Sequence, residues 1–427
     1  MANTCDSARI RATAVGVAAV LLLSACGGRG PAEPADASPR DDPPAPAPSV
    51  PAAAIPPTLE PDPLWQAPFS SAPKATTDGF VGPVLPDEEG GDLMFLGVDG
   101  DGTTRWSTPR NPSCTAFAVT RDADGRELLV LLDSDADPER GALATRVTAA
   151  AYEPREGTLM WGPVEVPGTM VGPGLVFAAV EHTVMSDQSG PRLALDPSTG
   201  GVAADEEADD RVFHEYQGTL LVRREGRLRA VDTGTGEELW NGRDLTPPES
   251  LGAASGDPTP EYGPRPVSDA SGAVALEWSA DHRDQTVYTI NDLRTGEPIA
   301  ELSGREEPRI VGTSTGEAAI SGLSAEDGTG ILLGVTGLGS AGTGPAWRAN
   351  RSEATPEAVT GGVLYLSGGD TVRALDMETG ADLGEGTWTT PTAATGDGTA
   401  LLPVESKGPG EAFVALRNAG SARFYAR

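Results

Sequence analysis

Cysteine is scarce in this sequence, with three residues in a chain of 427. They are Cys5, Cys26 and Cys114, and the first two lie in or directly after an N-terminal apolar segment. With that N-terminal pair set aside, Cys114 has no intramolecular partner, so the chain cannot form a disulfide framework. The fold must therefore be stabilised by a hydrophobic core.

Positive charge is scarce as well. Lysine occurs only at Lys74 and Lys407, and 31 basic residues stand against 63 acidic ones, which gives a formal net charge of −32. Phosphate binding depends on clustered cations, so this balance excludes a nucleic-acid partner. The excess of acidic residues is expected to keep the protein soluble through mutual repulsion.

Residues with metal-binding or catalytic chemistry are few and poorly spaced. The three histidines are far apart along the chain and have no ligand spacing. Asp133, Asp135 and Asp137 begin like a calcium loop, but Pro138 replaces the required glycine and Ala144 replaces the bidentate glutamate. No Gly-x-Ser-x-Gly elbow falls on a strand-to-helix turn, which argues against a hydrolase. We therefore predict no catalytic residue, no metal site and no cofactor.

Long apolar runs are limited to one segment near the N-terminus. Two arginines precede a small-apolar run at 12–23 (ATAVGVAAVLLL), and Leu-Ser-Ala-Cys follows, ending at Cys26. A membrane-spanning helix needs roughly 20 apolar residues, so this run has the length of a signal peptide. A plain secretory signal with an unrelated cysteine, or a buried apolar helix, are the alternatives.

The sequence Leu-Ser-Ala-Cys resembles the lipobox of bacterial lipoproteins. The resemblance implies that residues 1–25 are a signal peptide, cut between Ala25 and Cys26, and that Cys26 carries lipid. Two acyl chains give a stable membrane anchor where one would be marginal. We therefore expect the mature protein to be lipid-anchored at the cell membrane, on its extracytoplasmic face.

Residues 26–63 are rich in proline and alanine and contain few larger aliphatic side chains. Such a composition buries too little apolar surface to offset the entropy lost on ordering. We expect a disordered, solvated tether that could extend on the order of 100 Å at about 3.1 Å per residue.

Residues 64–427 form one β-rich region with a recurring turn motif. In its clearest copy, Asp232 is followed by Gly236 four residues later and by Trp240 eight residues later. The other copies keep the turn, with or without the aromatic residue: Asp99/Gly102/Trp106, Glu153/Gly157/Trp161, Asp196/Gly200, Asp292/Gly296, Asp376/Gly380, Arg417/Gly420/Phe424, and a degraded copy ending at Trp347. A spacing of about 45 residues is in the range of propeller repeats.

The pattern of acid, Thr-Gly and tryptophan resembles the repeat of the PQQ-like β-propellers, which include quinoprotein dehydrogenases and BamB-type lipoproteins. The resemblance implies an all-β propeller of four-stranded blades, with eight blades preferred and seven as the alternative. It does not carry the quinone cofactor over, because Cys114 is alone and cannot form the quinoproteins' disulfide between adjacent cysteines. No segment matches the calcium or catalytic aspartate motifs of those enzymes either.

The longest interval between turn copies contains an insertion at 245–266 (LTPPESLGAASGDPTPEYGPRP). Insertions in blade-connecting loops often carry binding, and Tyr262 and Arg265 are residue types that anchor interfaces. A tolerated insertion without function is the alternative.

From these features we predict a non-catalytic scaffold that binds one or more proteins of the cell envelope. A quinone- or small-ligand-binding propeller, which could be enzymatic, and a binder of wall polysaccharide are the alternatives. A ligand-binding channel needs convergent polar groups or a metal, whereas a protein scaffold needs an interaction surface with an apolar centre.

The lipid anchor is tested by the change Cys26→Ala. Without the thiol no thioether can form, so the variant should carry no acyl chains when it is made in a bacterial expression host. Incorporation of radiolabelled palmitate measures the effect, and Cys5→Ala, inside the predicted signal, is the control that should leave the label unchanged. A Cys26→Ala protein that still incorporates palmitate would contradict the prediction.

Overall fold

The computed structural model describes residues 35–86, 91–136, 144–171, 174–180, 189–208, 211–251, 258–263, 271–279, 286–350, 354–405 and 410–420. The predicted signal peptide and Cys26 lie outside these ranges. Within them the chain is almost entirely β structure, with short 3-10 turns at Ala52–Ala54, Glu206–Ala208 and Glu249–Leu251. No helix in this part of the chain is long and apolar enough to cross a membrane.

Eight antiparallel sheets form a ring, and each is one blade. Two strands precede the first blade: β1 (Ser38–Asp42) and β2 (Trp65–Ala67). Blade 1 comprises β3 (Lys74–Ala75), β4 (Gly79–Val84), β5 (Leu93–Asp99) and β6 (Thr104–Arg110). Blade 2 comprises β7 (Phe117–Arg121), β8 (Glu127–Ser134), β9 (Val147–Tyr152) and β10 (Leu159–Val166). Blade 3 comprises β11 (Thr169–Met170), β12 (Val176–Val180), β13 (Ser189–Leu195) and β14 (Val202–Asp205).

The next four blades follow the same order. Blade 4 comprises β15 (Arg211–Tyr216), β16 (Thr219–Arg224), β17 (Arg227–Asp232) and β18 (Glu238–Asn241). Blade 5 comprises β19 (Glu261–Tyr262), β20 (Ala273–Ser279), β21 (Thr286–Asp292) and β22 (Pro298–Ser303). Blade 6 comprises β23 (Arg309–Gly312), β24 (Ala318–Leu323), β25 (Gly330–Val335) and β26 (Pro345–Asn350). Blade 7 comprises β27 (Thr355–Thr360), β28 (Val363–Gly368), β29 (Thr371–Asp376) and β30 (Asp382–Gly386).

Blade 8 is built from both ends of the described chain. It comprises β31 (Ala393–Ala394), β32 (Thr399–Val404) and β33 (Ala412–Arg417), and its outer strand is β2. Trp65 of β2 pairs with Ala415 of β33. The sequence offered two candidates for this outer strand, the N-terminal strand around Trp65 and the motif ending at Phe424, which lies outside the described residues. The eight-bladed prediction is confirmed, with the N-terminal strand closing the ring.

The cores lie between blades, which explains why the strands are apolar on both faces. In β8, Leu129 and Leu131 pack in a cluster with Phe95 of blade 1, whereas Val130 packs in a cluster with Phe177 of blade 3. Alternate side chains of a strand point to opposite faces of its sheet, and here each face meets a neighbouring blade. A continuous apolar run is the pattern expected of a strand that is buried on both faces.

The recurring turn joins the third and fourth strands of a blade. In blade 4 the Gly236 N–H donates to the Asp232 carbonyl at 2.8 Å, and Asp232 Oδ1 accepts from the Thr235 N–H at 3.0 Å. Gly236 has φ of 70°, a conformation that L side chains resist. The backbone conformation of the turn therefore favours aspartate at its first position and glycine four residues later.

Tryptophan links five of the described turns to the preceding blade. Trp161 of blade 2 donates its Nε1 proton to the Pro197 carbonyl at 2.8 Å, and a Cβ on Gly200 would lie 2.5 Å from its ring. The same arrangement recurs in three other pairs of blades: Trp106 with Pro154 and Gly157, Trp240 with Leu293 and Gly296, and Trp347 with Met377 and Gly380. Trp65 packs on Gly102 in the same way and closes the ring between blades 8 and 1.

The prediction of a disordered tether is wrong for residues 36–63, which are called the N-terminal strap below. β1 pairs antiparallel with β6 as a fifth strand of blade 1, and the Ala37 N–H donates to the Gly157 carbonyl at 2.8 Å. Ile55 and Leu59 are buried in one cluster with Leu416 of blade 8.

The tether prediction was wrong for residues 36–63 because a few apolar side chains are enough to order a segment when they pack on a surface that is already formed. Proline also reduces the entropy lost on ordering, because its φ is fixed in the unfolded chain. Residues 26–34 lie outside the described ranges, so the tether prediction stands untested there.

A pair of glycine substitutions isolates the contact with tryptophan. Gly200 and Gly236 have φ of 71° and 70°, but an added Cβ meets Trp161 at Gly200 and nothing within 4 Å at Gly236. Gly236→Ala should cost only the backbone strain of about 1–2 kcal/mol, and Gly200→Ala should cost about 1–3 kcal/mol more from overpacking. Denaturant unfolding measures both, and equal losses would show that the indole contact does not matter.

Candidate functional site

The structure places Tyr262 in a sheet and not at the tip of a loop. It lies in β19, pairs with Leu276 of the same blade, and stacks on Phe213 of blade 4 at 5.1 Å between ring centroids. The insertion before it is also partly packed, since Leu251 is buried beside Trp278. Arg265 lies outside the described residues. The role of these two residues as interface anchors stays a prediction.

The acidic run in blade 2 forms a hydrogen-bonded turn. Asp133 Oδ1 accepts from the Asn111 N–H at 3.0 Å, and Asp135 Oδ1 accepts from the Thr145 N–H at 2.7 Å. Asp137 lies outside the described residues. Cys114 is buried nearby, and burial raises the pKa of its thiol, which disfavours the nucleophilic thiolate.

No group of three or more His, Cys, Asp or Glu side chains able to hold a metal occurs in the described part of the chain. Of the histidines, His182 and His282 lie outside that part. His214 is fully buried, and its Nε2 lies 2.8 Å from the Ser271 carbonyl. The spacing Gly-x-Ser-x-Gly does occur at 312–316, but it joins β23 to β24, so Ser314 lies on a hairpin and not at a strand-to-helix turn.

The first strand of each blade lies nearest the central channel, as β3 contacts both β7 and β31 of its neighbours. The turn after β15 crosses this channel. Tyr216 Oη donates to the Thr313 carbonyl of blade 6 at 3.0 Å, and Gln217 Nε2 donates to the Ser314 carbonyl at 2.7 Å. Gly218 lies against Ala123 of blade 2. Blade 4 therefore bridges blades 2 and 6 and closes one side of the channel mouth.

A cavity of about 760 Å³ occupies the other side, among blades 1, 2, 6, 7 and 8. This volume falls within the range of small-molecule sites. The described residues of the lining are mainly threonine and glycine with small aliphatic residues, and none of them is aromatic. Its charged side chains are Lys74, Glu317 and Glu357. Sequence reasoning missed these residues because they come from three blades and share no motif.

Neighbouring groups hold each of these charges in place. The Lys74 ammonium lies 5.2 Å from the centre of the Phe117 ring, a favourable cation–π contact. Glu357 Oε2 accepts a hydrogen bond from Thr390 at 3.2 Å. Burial raises the pKa of the half-buried Glu317, although a hydrogen bond with Thr315 opposes the shift.

A buried polar cluster stands where blades 3 and 4 meet without a tryptophan. Glu215, fully buried at the end of β15, accepts from the Leu175 N–H at 2.6 Å and from the Gly218 N–H at 3.0 Å. Thr233 of blade 4 donates to Asp196 of blade 3 at 2.8 Å. Burial raises the pKa of Glu215 to about 7, and the two N–H donors oppose part of that shift. These contacts join two blades and give the cluster a structural role.

Comparison with known proteins adds one match to a protein family. The family described as outer membrane protein assembly factor BamB matches residues 144–310, from the third strand of blade 2 to the start of blade 6. No curated protein is significantly similar to the chain.

Several solved propellers are similar in shape. A Dos1 propeller is 11% identical over 82% of this chain and 95% of its own, with a TM-score of 0.32. The Cps50 (Swd1) β-propeller domain of Myceliophteria thermophila is 9% identical over 83% and 98%, with a TM-score of 0.36. Saccharomyces cerevisiae Sqt1 is 11% identical over 80% and 82%, with a TM-score of 0.29. At these scores the likeness carries no argument.

Replacement of Glu215 by glutamine tests the buried carboxyl. Its folded-state pKa of about 7 lies above the ordinary glutamate value of 4.5, so between these pH values the folded protein binds more protons than the unfolded chain. The stability that Glu215 contributes is therefore complete below pH 4.5 and is lost as the pH rises towards 7. Relative to wild type, the free energy of unfolding of Glu215→Gln should rise by about 3 kcal/mol across this window.

Urea unfolding at several pH values measures the difference. The adjacent His214, whose pKa burial lowers to about 4, contributes an opposite slope that is common to both proteins. The exposed Glu237→Gln on the same blade is the control, and its difference from wild type should stay flat. A flat difference for Glu215→Gln as well would contradict the raised pKa.

Proposed function

Because the chain is a PQQ-like β-propeller, we propose that it is a non-catalytic scaffold that binds proteins of the cell envelope. Lipid on Cys26 would hold it at the cell membrane, on the extracytoplasmic face. The observation that carries the proposal is the match of residues 144–310 to the family of an outer-membrane assembly factor. The eight-bladed ring supports it, because a propeller presents two wide faces of loops on a rigid frame.

The N-terminal strap limits the distance at which the anchor would hold the ring from the membrane. The strap packs on the ring from Asp36 onward, where Asp36 Oδ1 accepts from the Leu159 N–H at 2.8 Å. Only about ten residues then separate Cys26 from the edge of blades 1 and 2, and they span at most roughly 35 Å when fully extended. The scaffold would therefore work close to the membrane surface and not at the end of a long tether.

The state of the reactive groups supports a non-catalytic role. A catalytic nucleophile needs an adjacent base or a lowered pKa. The Cys114 thiol has a raised pKa, and Asp133 and Asp135 accept hydrogen bonds from the backbone N–H groups of Asn111 and Thr145, respectively. Ser314 lies in the channel lining, where the titratable residues among those that the structure describes are Glu317, Glu357 and Lys74, and none of these is a histidine.

A second candidate function is the binding of a small molecule in the central channel. The cavity favours it, because hydroxyl, carboxylate and ammonium groups from separate blades converge there. Small-molecule sites combine an enclosed volume with a few placed polar groups. This function is compatible with a scaffold, since channel and outer loops are different surfaces.

Crosslinking in cells followed by affinity purification tests the scaffold. The wild-type protein should recover a defined set of envelope proteins. Cys26→Ala should recover fewer of them in cells, because it lacks the lipid that positions the ring, yet should bind the same proteins when mixed with them after detergent extraction. Lys407→Ala, remote from the anchor in sequence, is the control that should keep both activities. Failure of the wild-type protein to recover any stoichiometric partner would contradict the proposal.

A further inference from the structure

We propose that the channel cavity binds a small organic cation with at least two ammonium groups, that is, an oligoamine. The inference rests on the second candidate function above and names its ligand class. The inference comes from the kind, number and placement of the charges in the cavity. The family match assigns no ligand to this cavity.

Negative charge predominates in the cavity. Among the described residues that line it, two carry carboxylates, the half-buried Glu317 of blade 6 and the exposed Glu357 of blade 7, and one, Lys74, carries an ammonium group. That ammonium is already engaged with the Phe117 ring of blade 2. The whole chain carries a formal charge of −32, so the surroundings reinforce the negative potential. A cleft with walls of low dielectric focuses such a field and concentrates cations.

The two carboxylates come from neighbouring blades and are held by different partners. Thr390 donates to Glu357, and Thr315 hydrogen-bonds with Glu317. Because each acid has its own support, the two can face one ligand without moving together. Burial raises the pKa of Glu317, so an ammonium group beside it would offset the cost of its charged form. Two separate acids favour a ligand with two separated positive charges.

The remaining lining suits N–H donors. Thr313, Thr360 and Thr392 bring hydroxyl groups to the cavity, and hydroxyl oxygens accept hydrogen bonds from ammonium groups. β23 and β27 are the inner edge strands of their sheets, so one side of each backbone faces the channel. A divalent metal fits less well, because the described residues bring no third acidic or imidazole group to the two carboxylates.

Isothermal titration of the purified full-length protein with spermidine tests the proposal. We expect one site, with binding weakened by salt. Glu317→Gln should raise the Kd about tenfold, whereas Glu357→Gln, whose side chain is exposed and better solvated, should raise it about threefold. Glu378→Gln is the matched control, because Glu378 is exposed on the outer turn of blade 7 and lies outside the cavity. It should change the Kd by less than about twofold.

Equal weakening by all three variants would mean diffuse attraction to an acidic surface and would overturn the proposal. Thermal melting of each variant excludes loss of fold as the cause. Maltose and succinate, titrated in parallel, separate the proposal from the function on which it rests. If either binds and spermidine does not, the ligand class is wrong but the channel still binds small molecules. If none of the three binds, the channel function fails as well.

Discussion

The packing of a tryptophan of one blade on a glycine of the next is the contact on which the ring depends. The indole ring occupies the space that a Cβ on that glycine would take, and its Nε1 proton satisfies a carbonyl of the same turn. Trp161 with Gly200 shows both parts of the contact. Four blade pairs share the full arrangement, and Trp65 with Gly102 repeats its packing where the ring closes. A buried aromatic residue thus supplies both packing area and a directional bond.

Where tryptophan is absent, other chemistry joins the blades. Blades 3 and 4 use the buried Glu215 and Asp196, and blades 5 and 6 use Asp292, which accepts from the Gly339 N–H at 2.6 Å. Between blades 7 and 8 the strap contributes, as Thr58 hydrogen-bonds with Tyr365 at 2.8 Å. The contacts at these three junctions therefore differ from the tryptophan contacts and from one another. A buried carboxyl with a raised pKa makes the junction of blades 3 and 4 the one most sensitive to pH.

The N-terminal segment of the described chain covers the outer edge of one blade and completes another. β1 covers the edge of blade 1, and β2 completes blade 8. The turn at Gln217, with φ of 47°, is held across the channel by bonds to blade 6. Such a conformation is uncommon for a residue other than glycine and persists only when its surroundings enforce it. The result is a channel closed on one side and open as an acidic cavity on the other.

The sequence by itself determined the repeat. Aspartate and glycine at fixed spacing encode a tight turn through local hydrogen bonds and a positive φ, so all-β blades followed from periodicity. The choice between eight and seven blades was decided by the structure, in which β2 completes the eighth. The tether prediction failed over residues 36–63 because composition reports what a segment can bury alone, whereas Ile55 and Leu59 pack on a surface made elsewhere. Tyr262 was assigned to a loop because nothing local indicates its pairing with β20. The acidic cavity was decided by the tertiary structure alone: Lys74, Glu317 and Glu357 are brought together only when the ring closes.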